Sequence, residues 1–316
     1  MAYAQGLIDS LHGSGVVARL EILECDQDLS SDLPGRLIID GLLLPRFAHR
    51  IDELVQRRAV ALMHHTASRA RDSVHLRDEV VDALKSILPR LSQVVTTSES
   101  VAHRLIQEFS IISSAITVVS PGIGPLCRAT PRTGGCSILS TGVLTRRKRY
   151  DMLIRMLSCL LDLDWHLTIA GDAARDPSYA DELGAIAIEA GLQQRITFLP
   201  DSAEGAVLEA WQHASLFISM TRWEGYPAAT AQALRRGIPV LVTEAAASLL
   251  TQGAGVVLPD DDERTASKVL RRAIYDFRLR QAMADAAWQA GQALPDWNTQ
   301  ARLFAAAMET NDDARA

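Results

Sequence analysis

Residues able to do chemistry gather in four places along the chain. The segment Met220–Leu241, MTRWEGYPAATAQALRRGIPVL, follows the apolar run LFIS and sets Glu224 and Gly225 at a strand-to-helix turn. It continues as a helix and re-enters a strand through Gly237-Ile238-Pro239. A turn of this kind offers backbone N–H groups and the positive end of a helix dipole to an anion such as a phosphate. Arg146, Arg147, Lys148 and Arg149 form a charged run at a helix start, which is either a solvated turn or a group of cations held there for an anion. His64 and His65 close one apolar strand. Gly171 and Asp172 close another, with Asp172 open to a ligand role or to capping the next helix.

The elements that must carry these residues alternate along the chain. Short apolar, β-branched runs separated by longer helical patterns are the mark of parallel sheets built from βαβ units. The first series of strands is expected at Arg19–Glu24, Leu37–Asp40, Ala59–His64, Gln93–Thr97 and Ile116–Ser120. From Pro121 the stretch PGIGPLCRATPRTGG reads as a linker or interdomain loop. A second series starts afresh at Ser137–Ser140, His166–Ala170, Arg195–Phe198, Leu216–Ser219, Pro239–Val242 and Gly255–Leu258.

The chain is therefore read as α/β, with a Rossmann-like domain over 1–121, a second over 135–294, and a C-terminal helix within 295–316 that returns towards the first. That helix is expected around Thr299–Thr310, after the Pro-marked break Leu294–Trp297. Two halves facing across a cleft are expected, with ligands at the carboxyl ends of the strands. Tyr3–His12 reads as a helix with no strand ahead of it. The N-terminal sheet is accordingly expected to lack its first strand, which would leave a gap among the strands that remain.

Composition narrows the classes. With 316 residues, 48% apolar and 22% charged, the chain is that of an ordinary folded protein, and a formal charge of −6 disfavours a general nucleic-acid scaffold. No apolar run is long enough to span a bilayer, and no leader pattern precedes the first helix, so a cytoplasmic setting is expected. Cys25, Cys127, Cys136 and Cys159 have no metal or disulfide spacing and read as small core residues. No paired histidines suggest a metal, and Gly122-Ile123-Gly124 lacks a dinucleotide fingerprint. Leu42–Pro45 with Arg57, Arg58, Arg69 and Arg71 reads as a solvated face, with peripheral contact at the inner membrane face as the alternative.

The segment at 220–241 resembles the Glu-x7-Glu motif of the retaining glycosyltransferases of family four, usually E-G-F-G-x-P-x-x-E-A-x-A-x-G-x-P-V. The resemblance extends along the chain. SILSTGVLTRRKRYDMLIRML is similar to that family's G-x-x-x-x-R-K-G-x-D-x-L-x-x-A-L, and WHLTIAGDAARDPSYADELGAIAIEAGLQQRITFLP to its next strand, helix and strand. VALMHHTAS, VVTTSESVAHRLI and ITVVSPGI are similar to three successive landmarks of its N-terminal domain.

This resemblance implies a GT-B fold and a sugar transfer from a nucleotide-diphosphate sugar, with no cofactor and no metal, to an unknown small-molecule, glycan or lipid acceptor. It implies that Lys148 and Arg147 hold the donor's diphosphate, that Glu224 and His65 meet the transferred sugar as catalytic groups, and that Gly142, Gly171, Asp172, Gly225, Tyr226 and Gln232 line the donor site. Three departures stand out. Gln232 occupies the place of the second Glu, keeping hydrogen-bonding capacity without the charge. Pro227 stands where the family has Gly, so no N–H is offered there. Val143 replaces an Arg common after Gly142. These departures motivate a second reading, a non-catalytic or truncated sugar-nucleotide-binding relative. A third, a nucleotide-sugar epimerase, would need further clustered carboxylates, which the sequence does not show.

Overall fold

The computed structural model describes residues 2–23, 28, 30, 33–65, 74–260 and 262–313. It divides into two compact units, one of residues 1–122 with 295–316 and the other of 123–294. Cys25, Arg69 and Arg71 lie outside the described residues.

The first unit opens with α1 (Ala2–Gly13) and continues through β1 (Ile38–Asp40), a 3-10 turn at Leu44–Arg50 and α2 (Ile51–Gln56). Then follow β2 (Val60–Met63), α3 (Val74–Ile87), β3 (Gln93–Thr96), α4 (Glu99–Phe109) and β4 (Ile116–Val118). The four strands are parallel and pair in chain order, β1-β2-β3-β4. Alternate residues along them feed two cores, as both-face burial of a parallel sheet requires. Ala61, Met63 and Val94 pack with Phe47, Leu84 and Leu105 on one face, while Val60, Leu62 and Val95 pack with Leu7 and Leu11 of α1 on the other.

Two expectations are corrected here. Residues 19–23 form no strand, and Glu24 lies outside the described residues. Of the apolar side chains that suggested a strand, Ile22 is 66% and Leu20 38% exposed, and Leu23 packs against the core from a non-strand backbone. The expected gap is also absent among the described strands, since β1 pairs directly with β2, Ile38 opposite Val60.

The second unit runs β5 (Cys136–Thr141), α5 (Tyr150–Ser158), β6 (Trp165–Ala170), α6 (Pro177–Glu189), β7 (Ile196–Leu199) and α7 (Glu204–His213). It continues with β8 (Leu216–Ser219), α8 (Ala228–Arg235), β9 (Val240–Thr243), β10 (Gly255–Leu258), α9 (Glu263–Tyr275) and α10 (Phe277–Gln292). Its six parallel strands are ordered β10-β9-β8-β5-β6-β7. The chain winds outwards from β5 through β6 to β7, then returns to the other side of β5 with β8. The order therefore reverses between β5 and β8, the switch point where open sheets of this kind leave a crevice at their carboxyl ends. The stretch after Pro121 is no free linker: Ala129 N–H donates to the Arg236 carbonyl at 2.8 Å and Thr130 N–H to the Gln212 carbonyl at 2.7 Å.

The last helix, α11 (Trp297–Asp313), begins two residues earlier than expected and belongs to the first unit. Its Ala301 and Phe304 enter the core beside Leu7 and Leu11. Two polar side chains fix it: Gln93 Nε2 donates to the Ala307 carbonyl at 2.8 Å and the Arg36 guanidinium to that of Met308 at 2.7 Å. At its start Trp297 lies edge-on to Tyr3, and a β-carbon on Gly122 would fall 2.4 Å from the Trp297 backbone. Gly122→Ala should therefore cost about 1–3 kcal/mol, the usual scale of overpacking, read as a lower melting temperature. An unchanged melting temperature would mean that this close approach does not hold α11.

Of the cysteines, Cys136 is buried as expected, whereas Cys127 and Cys159 are exposed and are not core residues. Among the described residues no helix is long and apolar enough to cross a membrane.

Candidate functional site

The turns that follow β5, β6 and β8 are neighbours, because those three strands are adjacent in the sheet. The first two meet through glycines. A β-carbon on Gly171 would lie 1.9 Å from the carbonyl oxygen of Gly142, so only Gly fits there. Gly142 N–H donates to the Ala170 carbonyl at 2.9 Å, and the Gly142 carbonyl accepts from the Tyr150 hydroxyl at 2.9 Å. Burial first, and then the negative charge of Glu224, push that hydroxyl's pKa up, so it stays a donor.

The cationic run forms a 3-10 turn, Arg146–Lys148, between β5 and α5. Its four side chains go to three places. Arg146 pairs with Glu182 at 2.6 Å and Arg149 with Asp260 at 3.1 Å. Arg147 and Lys148 both turn to Glu224, in the turn after β8. Lys148 Nζ donates to Glu224 Oε1, and Arg147 lies 3.3 Å from Oε2. Two cations thus share one carboxylate, leaving a net positive charge at the switch point. The cluster is mostly shielded from water, Lys148 being 11% and Glu224 15% exposed. At such depth charges act on one another, and on any incoming anion, more strongly than in bulk water.

The Glu224 turn is itself built by Arg147. Its guanidinium donates to the Trp223 carbonyl at 2.7 Å and the Thr221 hydroxyl at 3.2 Å, and stacks 4.7 Å from the centre of the Trp223 ring. Its carbonyl accepts from Arg222 N–H at 3.0 Å. Behind Glu224, the half-buried Tyr226 hydroxyl has its pKa pushed up to about 12 by burial. Pro227 caps α8 with no side-chain hydrogen bond, and Gln232 lies half-buried one turn further on.

The structure thus brings together Lys148, Arg147 and Glu224, with Gly142, which packs on Gly171, against Lys148, whose Nζ would lie 3.1 Å from a β-carbon there. Gly225, Tyr226 and Gln232 follow on the turn and helix after Glu224. Asp172 is used locally: its carboxylate accepts from Ala174 N–H at 2.7 Å and its carbonyl from Leu144 N–H at 2.8 Å. It does not cap α6. That role belongs to Asp176, which accepts from Tyr179 N–H at 3.1 Å.

His65 lies in the first unit, beyond β2, and its neighbour His64 sits 3.4 Å from Asp40 and edge-on to Tyr3. Burial alone would raise the Asp40 pKa. The hydrogen bond from His64, the Leu42 N–H and the charges of both histidines outweigh it, and the carboxyl is held below its ordinary value.

Trp223, Thr221 and Tyr150 were not foreseen from the sequence, since each acts through a tertiary contact with no local pattern. Arg149 was also missed, although it stands where the motif quoted above has Gly. It adopts φ +56°, which costs a side chain with a β-carbon about 1–2 kcal/mol. Among the described residues no group of three or more His, Cys, Asp or Glu is arranged to hold a metal ion.

Comparison with known proteins adds the following. The sequence model of the family described as "Glycosyl transferases group 1" matches residues 131–289. The lipopolysaccharide core biosynthesis mannosyltransferase LpsB of Rhizobium meliloti (strain 1021) is 32% identical over 143 residues, which are 43% of this chain and 39% of that protein. The match thus spans well under half of that curated relative. Among solved structures, Anabaena HepE in complex with UDP and glucose has a TM-score of 0.74 at 17% identity, covering 86% of this chain and 78% of that one. Sucrose-phosphate synthase from Thermosynechococcus elongatus has a TM-score of 0.75 at 14% identity, covering 88% and 74%. These likenesses establish the two-domain parallel α/β fold that the sequence led us to expect.

Proposed function

The chain belongs to the group 1 glycosyl transferases, and from that premise we propose that it transfers a hexose, with retention of anomeric configuration, from a nucleotide-diphosphate sugar to an acceptor. The observation that carries the proposal is the sharing of Glu224 by Arg147 and Lys148 at the switch point. A diphosphate arriving there meets two cations that one carboxylate only half neutralises.

In this reading Lys148 and Arg147 hold the diphosphate and stabilise the charge that builds on it as the bond to the sugar breaks. Glu224, released from the cations, meets the sugar hydroxyls. Departure of the diphosphate and attack by the acceptor share one face of the sugar. Gln232 holds the ribose hydroxyls, and His65 is carried on the resemblance alone. The UDP complexes of HepE make uridine diphosphate sugars the first donors to try.

The test is incubation of the purified chain with uridine, guanosine and adenosine diphosphate sugars. Release of nucleoside diphosphate is measured, and early proton NMR spectra report the anomer of the sugar set free. One donor should be consumed with its anomeric configuration kept. An inverted product would refute retention. Binding without any release would favour the second reading, a sugar-nucleotide binder, for which Pro227 at the N-cap of α8 is the motivating observation.

Gln232→Glu should shift donor affinity by no more than about tenfold, or 1.4 kcal/mol, because shape is kept and only charge assistance changes. A larger shift on titration would remove Gln232 from a simple ribose-holding role.

A further inference from the structure

Arg149 ends the turn that carries Arg147 and Lys148, and it does so in the left-handed region at φ +56°, ψ +40°. Its side chain is only 12% exposed. One guanidinium nitrogen donates to Asp260 Oδ1 at 3.1 Å and the other to the Asp260 carbonyl at 2.9 Å, the second also lying 2.6 Å from Met152 Sδ. Asp260 belongs to the loop between β10 and α9. Arg149 thus ties the turn after β5 to the loop after β10, two connections that the sheet order separates by β8 and β9. A glycine would adopt this backbone at no steric cost. A strained residue persists where its surroundings over-determine it, and here the two-pronged hold on Asp260 does so.

We infer that Arg149 is a positioning residue: its latch onto Asp260 fixes the turn and so aims Arg147 and Lys148 at the diphosphate. Without the latch the turn samples other conformations and the two cations must be ordered on binding, which weakens affinity without removing a contact to the ligand. The inference deepens the function proposed above, and its nucleotide arm rests on that reading.

The experiment compares the parent chain with R149G, R149K, D260A and the double variant R149G/D260A. Hydrogen exchange is followed over residues 146–150, and affinity for uridine, guanosine and adenosine diphosphates is measured by calorimetry. In the ligand-free protein, R149G and D260A should exchange faster over 146–150. R149G should bind the preferred nucleoside diphosphate about 3–10-fold more weakly with no fall in melting temperature, because glycine relieves the backbone. The double variant should lose no more than R149G alone, as expected of two residues acting through one contact. R149K, which keeps the charge without the fork, should fall between R149G and the parent.

Unchanged exchange in both single variants would overturn the latch whether or not any nucleotide binds. Faster exchange with unaltered affinity would overturn its positioning role. A parent chain that binds none of the three diphosphates would refute the proposed function, and with it the positioning role, while the exchange data still decide the latch.

Discussion

Replacing Glu224 with Ala should lower turnover of the nucleotide sugar by about 10²-fold or more, the scale found when a transition-state contact is removed, while affinity for the nucleoside diphosphate should hold or rise. The two effects should separate because the proposed reaction gives Glu224 two partners at different stages. In the free protein its carboxylate sits on Lys148 and beside Arg147 at 3.3 Å, so an incoming diphosphate must displace it. Removing it leaves two mostly shielded cations without their anion, which destabilises the free form and not the bound one, and that difference appears as tighter binding. The proposed contact to the sugar would be lost at the same time, and a contact made in the transition state shows in turnover. Steady-state kinetics with one confirmed donor, set beside calorimetry with its diphosphate, separates the two. Unchanged turnover would remove Glu224 from the chemistry, and a large loss of diphosphate affinity would mean that its carboxylate does not compete for the cations.

Lys148→Ala acts in the opposite sense. It removes a hydrogen bond to a charged group and should weaken nucleoside diphosphate binding by about 1.5–3 kcal/mol, roughly 10–150-fold. Arg147 remains 3.3 Å from Glu224 in the variant, so the carboxylate keeps a cation. The melting temperature should therefore change little. Calorimetry beside a thermal melt distinguishes a lost ligand contact from a damaged turn. Equal affinity in variant and parent would exclude Lys148 from the site, and a large fall in melting temperature would make its role structural.

The strands of the second unit were legible because each reads as a short apolar run bounded by turn residues, most fully in β8 and β9, which are buried at every position. The same signal failed at Arg19–Glu24. There Leu20, Ile22 and Leu23 have no partner strand among the described residues, and Ile22 lies largely in water. A run of β-branched residues states a preference, and pairing decides the outcome. Gly171 was legible as a glycine at a strand end, but its reason, the Gly142 carbonyl 1.9 Å from any β-carbon, comes from a neighbouring strand. Lys148 and Glu224 were found separately through motif positions. Their pairing was not, because they lie 76 residues apart and meet only when β8 returns beside β5. Asp172 was read as a possible cap of the next helix, but α6 starts at Pro177 and is capped by Asp176. The left-handed backbone of Arg149 was marked only by the glycine that the motif has at that place, and the stacking of Arg147 on Trp223 leaves no trace in local sequence.

Arg147 and Lys148, sharing Glu224, are proposed to form a diphosphate site. The site is tested most directly by calorimetric titration of one nucleoside diphosphate series into three proteins, the parent chain, Lys148→Ala and Glu224→Ala. The account predicts that the parent binds at least one member of the series, that Lys148→Ala binds it about tenfold or more weakly, and that Glu224→Ala binds it at least as tightly as the parent. No binding by the parent to uridine, guanosine or adenosine diphosphate, or the same affinity in Lys148→Ala as in the parent, would contradict it.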